Sequence, residues 1–365
     1  MSIQKHKLLF DASFFHKSPS GIATDSRDFL EAFIYAGFNV ELLHPLHSEG
    51  KKDTQFSVHQ DPIPDLMRKF SLLTVGKVFH AIYSDAQTYF CPQPSALQPN
   101  YKKMTVMTRI HDIYPISNPE WFNLTTNRYF KNALKESIKS DLLICNSDTT
   151  KRELNKYYPE TKDTSIVVPC LAKETVEFGC GRCILCQGAK IPKNFLLTIG
   201  TFEPRKNIPN MITAWKARSV KKMIYPDLKL VLVGTQKWKY RSSVSAIESV
   251  RDGSVMALTC CNFQLSQLLL KARGYISATL SEGFNIPAHY AFKRGMRLLL
   301  SDIPVHREFF SSVPTYFNPQ NVEEITAAIK KFTEDLQIMD LNLVPRVETR
   351  TLLDIGPVVT KLNLT

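Results

Sequence analysis

The sequence predicts an α/β protein made of two doubly wound, Rossmann-like units. Three observations lead there. Short apolar runs alternate with segments of helical periodicity, the pattern of a parallel sheet covered by helices. The alternation restarts in the second half of the 365 residues. Between the halves lies Lys173–Lys193, which has no periodicity and holds a cysteine cluster.

The first unit opens with a strand at Lys7–Ala12 and a turn at Ser18-Pro19-Ser20-Gly21. Thr24–Ala36 follows, with Phe29, Leu30, Phe33 and Ile34 at helical spacing. Gly37 stops that helix, and Phe38–Leu43 is the second strand. Further strands fall at Lys103–Ile110 and Asp141–Asn146, and helices at Thr126–Ser140 and Asp148–Tyr157. The second unit begins with a strand at Asn194–Gly200 and a helix at Asn207–Arg218. Leu228–Gly234 is almost wholly apolar, as expected of a strand buried on both faces. Gly274–Thr279 and Arg297–Ser301 add strands; Phe263–Arg273, Ala288–Arg294 and Val322–Phe332 add helices. The domains are therefore expected at 1–172 and 194–340. A linker (173–193) joins them, and a tail (341–365) can return to the first domain.

Composition limits the function. A hydrophobic share of 44% and 22% charged residues exclude wholesale disorder, a fibre and a small disulfide scaffold. No run of about 18 apolar residues marks a transmembrane helix. Met1–Phe10, with Lys5, His6 and Lys7, lacks a signal-peptide pattern, so a cytoplasmic location is the default. The net charge is +12 and uneven: +3 up to Lys190 (23 basic, 20 acidic) and +9 from Ile191 onward (23 basic, 14 acidic). A basic half calls for an anionic partner. Nucleic acid is disfavoured, because no basic stripe is interleaved with aromatics. A phosphorylated ligand fits better, with peripheral contact to an anionic membrane as a further expectation.

Four segments carry chemistry. Thr198–Asn207 (Thr-Ile-Gly-Thr-Phe-Glu-Pro-Arg-Lys-Asn) ends a strand at Gly200 and sets Arg205 and Lys206 just before a helix. Ligands of open α/β sheets bind at the carboxyl ends of strands, and a helix start with two cations suits a pyrophosphate. A solvated basic turn is the plain alternative. The second segment is the strand ending in Gly234. The third, Ser281-Glu282-Gly283-Phe284-Asn285-Ile286-Pro287, opens a helix after a strand, where amides are free to meet an anion. By itself it also reads as an ordinary helix entry. The fourth is Ser301–Glu308 (Ser-Asp-Ile-Pro-Val-His-Arg-Glu).

In this order the segments resemble the C-terminal half of the retaining glycosyltransferases of family 4, which include bacterial mannosyl- and rhamnosyltransferases of surface-polysaccharide synthesis. The first half agrees, with Phe10-Asp11, Ser20-Gly21-Ile22, Arg109–Pro115 and Asn146–Lys151. The resemblance implies a GT-B fold, two Rossmann-like domains facing across a cleft, and transfer of a hexosyl unit (mannosyl as the first guess) from a nucleotide-sugar to a hydroxyl of a glycan or lipid-linked glycan. GDP-mannose is the first expectation for the donor, with UDP- or dTDP-sugars open. It further implies that Arg205 and Lys206 hold the donor diphosphate and that no metal cofactor is required. Glu282 then matches the first glutamate of the family's Glu-x7-Glu motif and contacts the donor sugar. Gly283, Phe284 and Asn285 match its adjoining loop, His111 a histidine near the sugar, and Gly21 a glycine loop near the phosphate. Gly200 and Gly234 flank the donor site.

Two positions depart from the family pattern. Tyr290 stands where the second glutamate binds the ribose diol, and a phenol cannot accept two hydrogen bonds as a carboxylate can. Asn285 replaces a glycine, which needs the left-handed backbone that asparagine tolerates. These motivate a rival reading: a weak or inactive GT-B module that binds nucleotide or glycan and scaffolds another transferase. Of the eight cysteines, Cys170, Cys180, Cys183 and Cys186 have spacings compatible with a structural zinc ion or an iron–sulfur cluster, though free thiols in an inter-domain loop are the simpler reading. Cys260, Cys261 and Cys145 read as small core residues.

Overall fold

The computed structural model describes residues 6–12, 21–44, 58–60, 84–95, 104–172, 183–220, 227–335 and 352–364. The chain forms two compact units. One comprises Met1–Pro119, Leu124–Leu171 and Arg350–Thr365; the other comprises Glu120–Asn123 and Ala172–Thr349. Of the segment expected as a linker, residues 183–193 fall in the second unit, and the rest lies outside the described residues.

The first unit contains β1 (Lys7–Asp11), α1 (Gly21–Tyr35), β2 (Asn39–His44), β3 (Val58–Gln60), β4 (Thr88–Cys91), β5 (Thr105–Ile110), α2 (Tyr114–Ser117), α3 (Leu124–Ser137), β6 (Leu142–Cys145), α4 (Asp148–Tyr157) and β7 (Ser165–Val167). Its strands form one parallel sheet in the order β3-β2-β1-β4-β5-β6-β7. Successive side chains of a strand face opposite sides. Leu8 and Phe10 of β1 therefore join Phe29 and Phe33 of α1 and Phe90 of β4 on one face, while Leu9, Leu43 and Tyr89 fill the other. The Phe90 ring lies 5.0 Å from both Phe10 and Phe29.

The second unit contains β8 (Phe195–Ile199), α5 (Ile208–Val220), β9 (Lys229–Val233), α6 (Arg241–Glu248), β10 (Val255–Leu258), α7 (Asn262–Lys271), β11 (Gly274–Ser277), α8 (Ile286–Lys293), β12 (Arg297–Ser301), α9 (Pro304–Phe310), β13 (Thr315–Phe317) and α10 (Val322–Asp335). Its parallel sheet has the order β10-β9-β8-β11-β12-β13. Leu196, Leu230, Leu232, Ile276 and Leu299 pack under α5 and α10. Phe195, Leu197, Val231, Val233 and Leu300 pack under α7 and α8 on the opposite face. Burial on both faces explains the unbroken apolar run of β9.

The tail is not an appendage. α11 (Gly356–Lys361) and its flanks place Leu353, Ile355, Val358, Val359 and Leu364 in the core beside β1 and α1. In both sheets the strand order reverses beside the first strand of the unit, between β1 and β4 and between β8 and β11. These are the switch points where open α/β sheets leave a crevice at the carboxyl edge.

Candidate active site

The β8–β11 switch point collects the predicted cations. β8 ends at Ile199, and the chain passes through Gly200 to a single helical turn at Pro204–Lys206. A Cβ on Gly200 would lie 2.9 Å from Lys206 Cε, so this glycine leaves room for the lysine stem. A Cβ on Gly234 would lie 1.9 Å from the Gly200 carbonyl oxygen, so Gly234 is there for backbone packing. Asn207 takes the left-handed conformation (φ 53°) and donates its amide to the carbonyls of Ala278 (3.0 Å) and Pro319 (2.6 Å). That ties the turn to β11.

Glu282 enters the same place from the β11 side. It is buried, at 8% exposure. Its Oε2 lies 2.5 Å from Arg205 Nη1, and its Oε1 accepts from Lys206 Nζ at 2.5 Å. Arg205 also donates to Glu203 Oε1 (2.7 Å) and to the Ser281 carbonyl (2.9 Å). Burial by itself raises the Glu282 carboxyl; the adjoining Arg205 and then Lys206 reverse the sign and hold it at about 2. The site is thus a fixed pair of cations facing an ionised carboxylate.

The loop after Glu282 is built from within. Asn285 adopts the left-handed region (φ 67°) and caps α8 through Oδ1, which accepts from the Ala288 amide at 3.4 Å. Its Nδ2 donates to His306 Nε2 at 2.8 Å, while His306 Nδ1 donates to the Ser301 carbonyl at 2.8 Å. Burial lowers His306 to about 4, so the imidazole is neutral at pH 7 and fits this network. Phe284 turns inward and stacks on His289 at 3.8 Å. Gly283 is buried beside it. Tyr290 is half-buried and packs against the apolar cluster between α7, α8 and the sheet.

In the first unit, α1 begins at Gly21, so the predicted turn residue is the first of the helix; Ser18–Ser20 lie outside the described residues. His111 follows β5, with Nε2 against the Pro92 carbonyl (3.0 Å) and Nδ1 4.0 Å from Asp25 Oδ2. Burial, aided by the Arg109 charge, lowers His111 against the pull of Asp25. Sequence reasoning missed the group beneath it. Arg109 is fully buried and grips Asp25 with two bonds, Nε to Oδ2 at 2.8 Å and Nη2 to Oδ1 at 3.1 Å. It also donates to the carbonyls of Cys145 and Val168 and to Cys170 Sγ. An arginine inside a strand buried on both faces, Thr105–Ile110, was the available signal.

The described residues group the cysteines differently from their order in the sequence. Cys170 belongs to the Arg109 group of the first unit, whereas Cys183 and Cys186 lie in the second. Cys180 lies outside the described residues. Cys261, expected in the core, instead meets Cys183 and Cys186, and all three sulfurs lie within 4.8 Å of one another.

The chain is similar to known proteins in sequence and in fold. The family described as "Glycosyl transferases group 1" matches residues 187–344. The chain is 25% identical over 300 residues to O-antigen chain mannosyltransferase B of Escherichia coli, covering 79% of this chain and 77% of that one. Sucrose-phosphate synthase from Thermosynechococcus elongatus superposes with a TM-score of 0.68 at 14% identity, over 91% of this chain and 90% of that one. Anabaena HepE in complex with UDP and glucose superposes with a TM-score of 0.65 at 17% identity, over 91% of each chain. The likeness to these structures establishes the GT-B fold.

Proposed function

We propose, from the match of residues 187–344 to the group 1 glycosyltransferases, that this protein transfers a mannosyl unit from a nucleotide-sugar to a hydroxyl of a glycan or lipid-linked glycan. The observation that carries the reading is the Arg205–Lys206 pair held against Glu282 at the sheet's switch point. The donor diphosphate takes the place of one carboxylate oxygen on these cations. Glu282 then has an oxygen released to accept from the donor's sugar hydroxyls.

As the glycosidic bond breaks, negative charge gathers on the leaving diphosphate. Two fixed cations in a water-poor site stabilise that charge without reorganising, the work a divalent metal does elsewhere. The sugar is transferred with retention, the acceptor attacking from the leaving-group side and passing its proton to the departing phosphate. The mannosyl assignment rests on relatives such as the E. coli O-antigen mannosyltransferase. GDP is accordingly our first choice of base, and the acceptor is one presented at an anionic membrane surface, where the +12 chain docks peripherally.

Transfer is expected to fall at least tenfold in Lys206→Ala and in Glu282→Ala, about 1.4 kcal/mol of barrier each. Near-normal turnover in both folded variants overturns the site. A thermal-shift comparison of GDP, UDP, dTDP and ADP identifies the base, since a ligand that binds only the folded state raises its stability. A larger shift with UDP than with GDP refutes the GDP-mannose assignment while leaving the site intact.

A further inference from the structure

We propose that Cys183, Cys186 and Cys261 hold a structural zinc ion in the second unit. Their sulfurs come from segments 75 and 78 residues apart in sequence and converge at 3.6 Å (Cys186–Cys261) and 3.9 Å (Cys183–Cys261). A disulfide needs about 2.05 Å. Tetrahedral ligation with Zn–S bonds of about 2.3 Å places neighbouring sulfurs about 3.8 Å apart, between the two observed values. An iron–sulfur cluster puts at most two of its thiolates on one iron and the others farther off, so three mutually adjacent sulfurs select a single ion.

The local geometry around the three sulfurs fits a metal. All three residues are only half-buried, at the margin of the apolar cluster that Cys183 packs against. Cys183-x2-Cys186 lies on a tight turn closed by Gly188, whose φ is 95°. Two thiolates three residues apart on such a turn form one half of a common zinc arrangement. Cys261 is the N-cap of the ten-residue α7, where the helix dipole favours the thiolate form the metal requires. Gln264, one turn into α7, donates Nε2 to Cys186 Sγ at 3.6 Å, a bond that orients a ligand from outside the coordination sphere.

Three thiolates leave the fourth tetrahedral position to water or a further donor. The ion would fasten the segment around residues 183–191 to the loop after β10, at the carboxyl edge of the sheet. This role is independent of sugar transfer and survives even if the proposed activity is wrong.

The test uses the full chain purified with reductant and without chelator. Elemental analysis is expected to find about one zinc per chain, the stoichiometry of a single structural ion. Replacement by Co2+ should give the visible bands of tetrahedral cobalt together with near-ultraviolet thiolate charge transfer. The double variant Cys183→Ser/Cys261→Ser should lose both. A zinc-selective chelator should lower the Tm of the wild-type chain and leave that of the double variant unmoved. Sub-stoichiometric zinc with no charge-transfer band on Co2+ titration of the reduced wild-type chain overturns the proposal, and needs no variant to fold. Retention of the metal by the folded double variant overturns it as well.

Discussion

Glu282 shows how a buried charge becomes a pH-dependent term. Its carboxyl is held at about 2 in the folded protein against an ordinary value near 4.5. A depressed pKa adds stability that is fully present above the unfolded value and is lost as pH falls toward the folded one. The Tm advantage of the wild-type chain over Glu282→Gln is therefore expected to be constant near pH 7 and to shrink between about 4.5 and 2. An advantage that does not change across this range refutes the ion-pair account. Arg109 makes a parallel case in the first unit. Arg109→Leu strands the buried Asp25 carboxylate and should cost about 3–5 kcal/mol by urea denaturation, whereas Arg109→Leu/Asp25→Leu should recover most of that. Arg205, Lys206 and Glu282 were legible because each stands beside a glycine turn in a recognisable order. Arg109–Asp25 was not, because the partners lie 84 residues apart and only the sheet brings them together.

At the scale of elements, the entry to α8 is decided by one residue. Asn285 serves three needs at once: a left-handed backbone, an N-cap and a hydrogen bond to His306. Asn285→Ala keeps none of them and should cost about 3 kcal/mol, about 1 each from the cap, the backbone and the lost hydrogen bond to buried His306. Asn285→Gly removes the backbone strain and should cost less than Asn285→Ala in the same denaturation experiment. Equal losses would mean that the left-handed conformation is not the constraint. The asparagine, noted in the sequence as a departure from the family's glycine, is thus a different solution to the same backbone geometry. The long elements were legible because burial imposes a period on them; the helices at Thr126–Ser140 and Val322–Phe332 each correspond to an observed helix. The short parallel strands β3, β7 and β13 were not, since three residues carry no period. β4 escaped notice for a related reason: four residues placed in the middle of a sheet take their burial from neighbours remote in sequence.

At the scale of the whole chain, the order of motifs made both sheets readable, but the end of the chain could not be assigned from local pattern. Leu353, Ile355, Val358, Val359 and Leu364 acquire meaning only against Leu8, Phe10 and Phe29, more than 300 residues earlier. The chain leaves the first unit after Leu171 and rejoins it at Arg350, so that unit is not complete until the last residues are made. Each buried apolar side chain of this size is worth about 1.5–3 kcal/mol, so five together are on the order of 10 kcal/mol. That is comparable to the entire stability of a domain, about 5–15 kcal/mol. Deleting residues 350–365 should therefore unfold the first unit while leaving the second folded. Hydrogen exchange read by mass spectrometry separates the outcomes. Peptides from β1, β4 and β5 should lose protection, while those from β8, β9 and β11 should keep it. Unchanged protection in β1 would show that the tail is dispensable to the core it fills. Loss of protection in both units would show that they fold as one cooperative body.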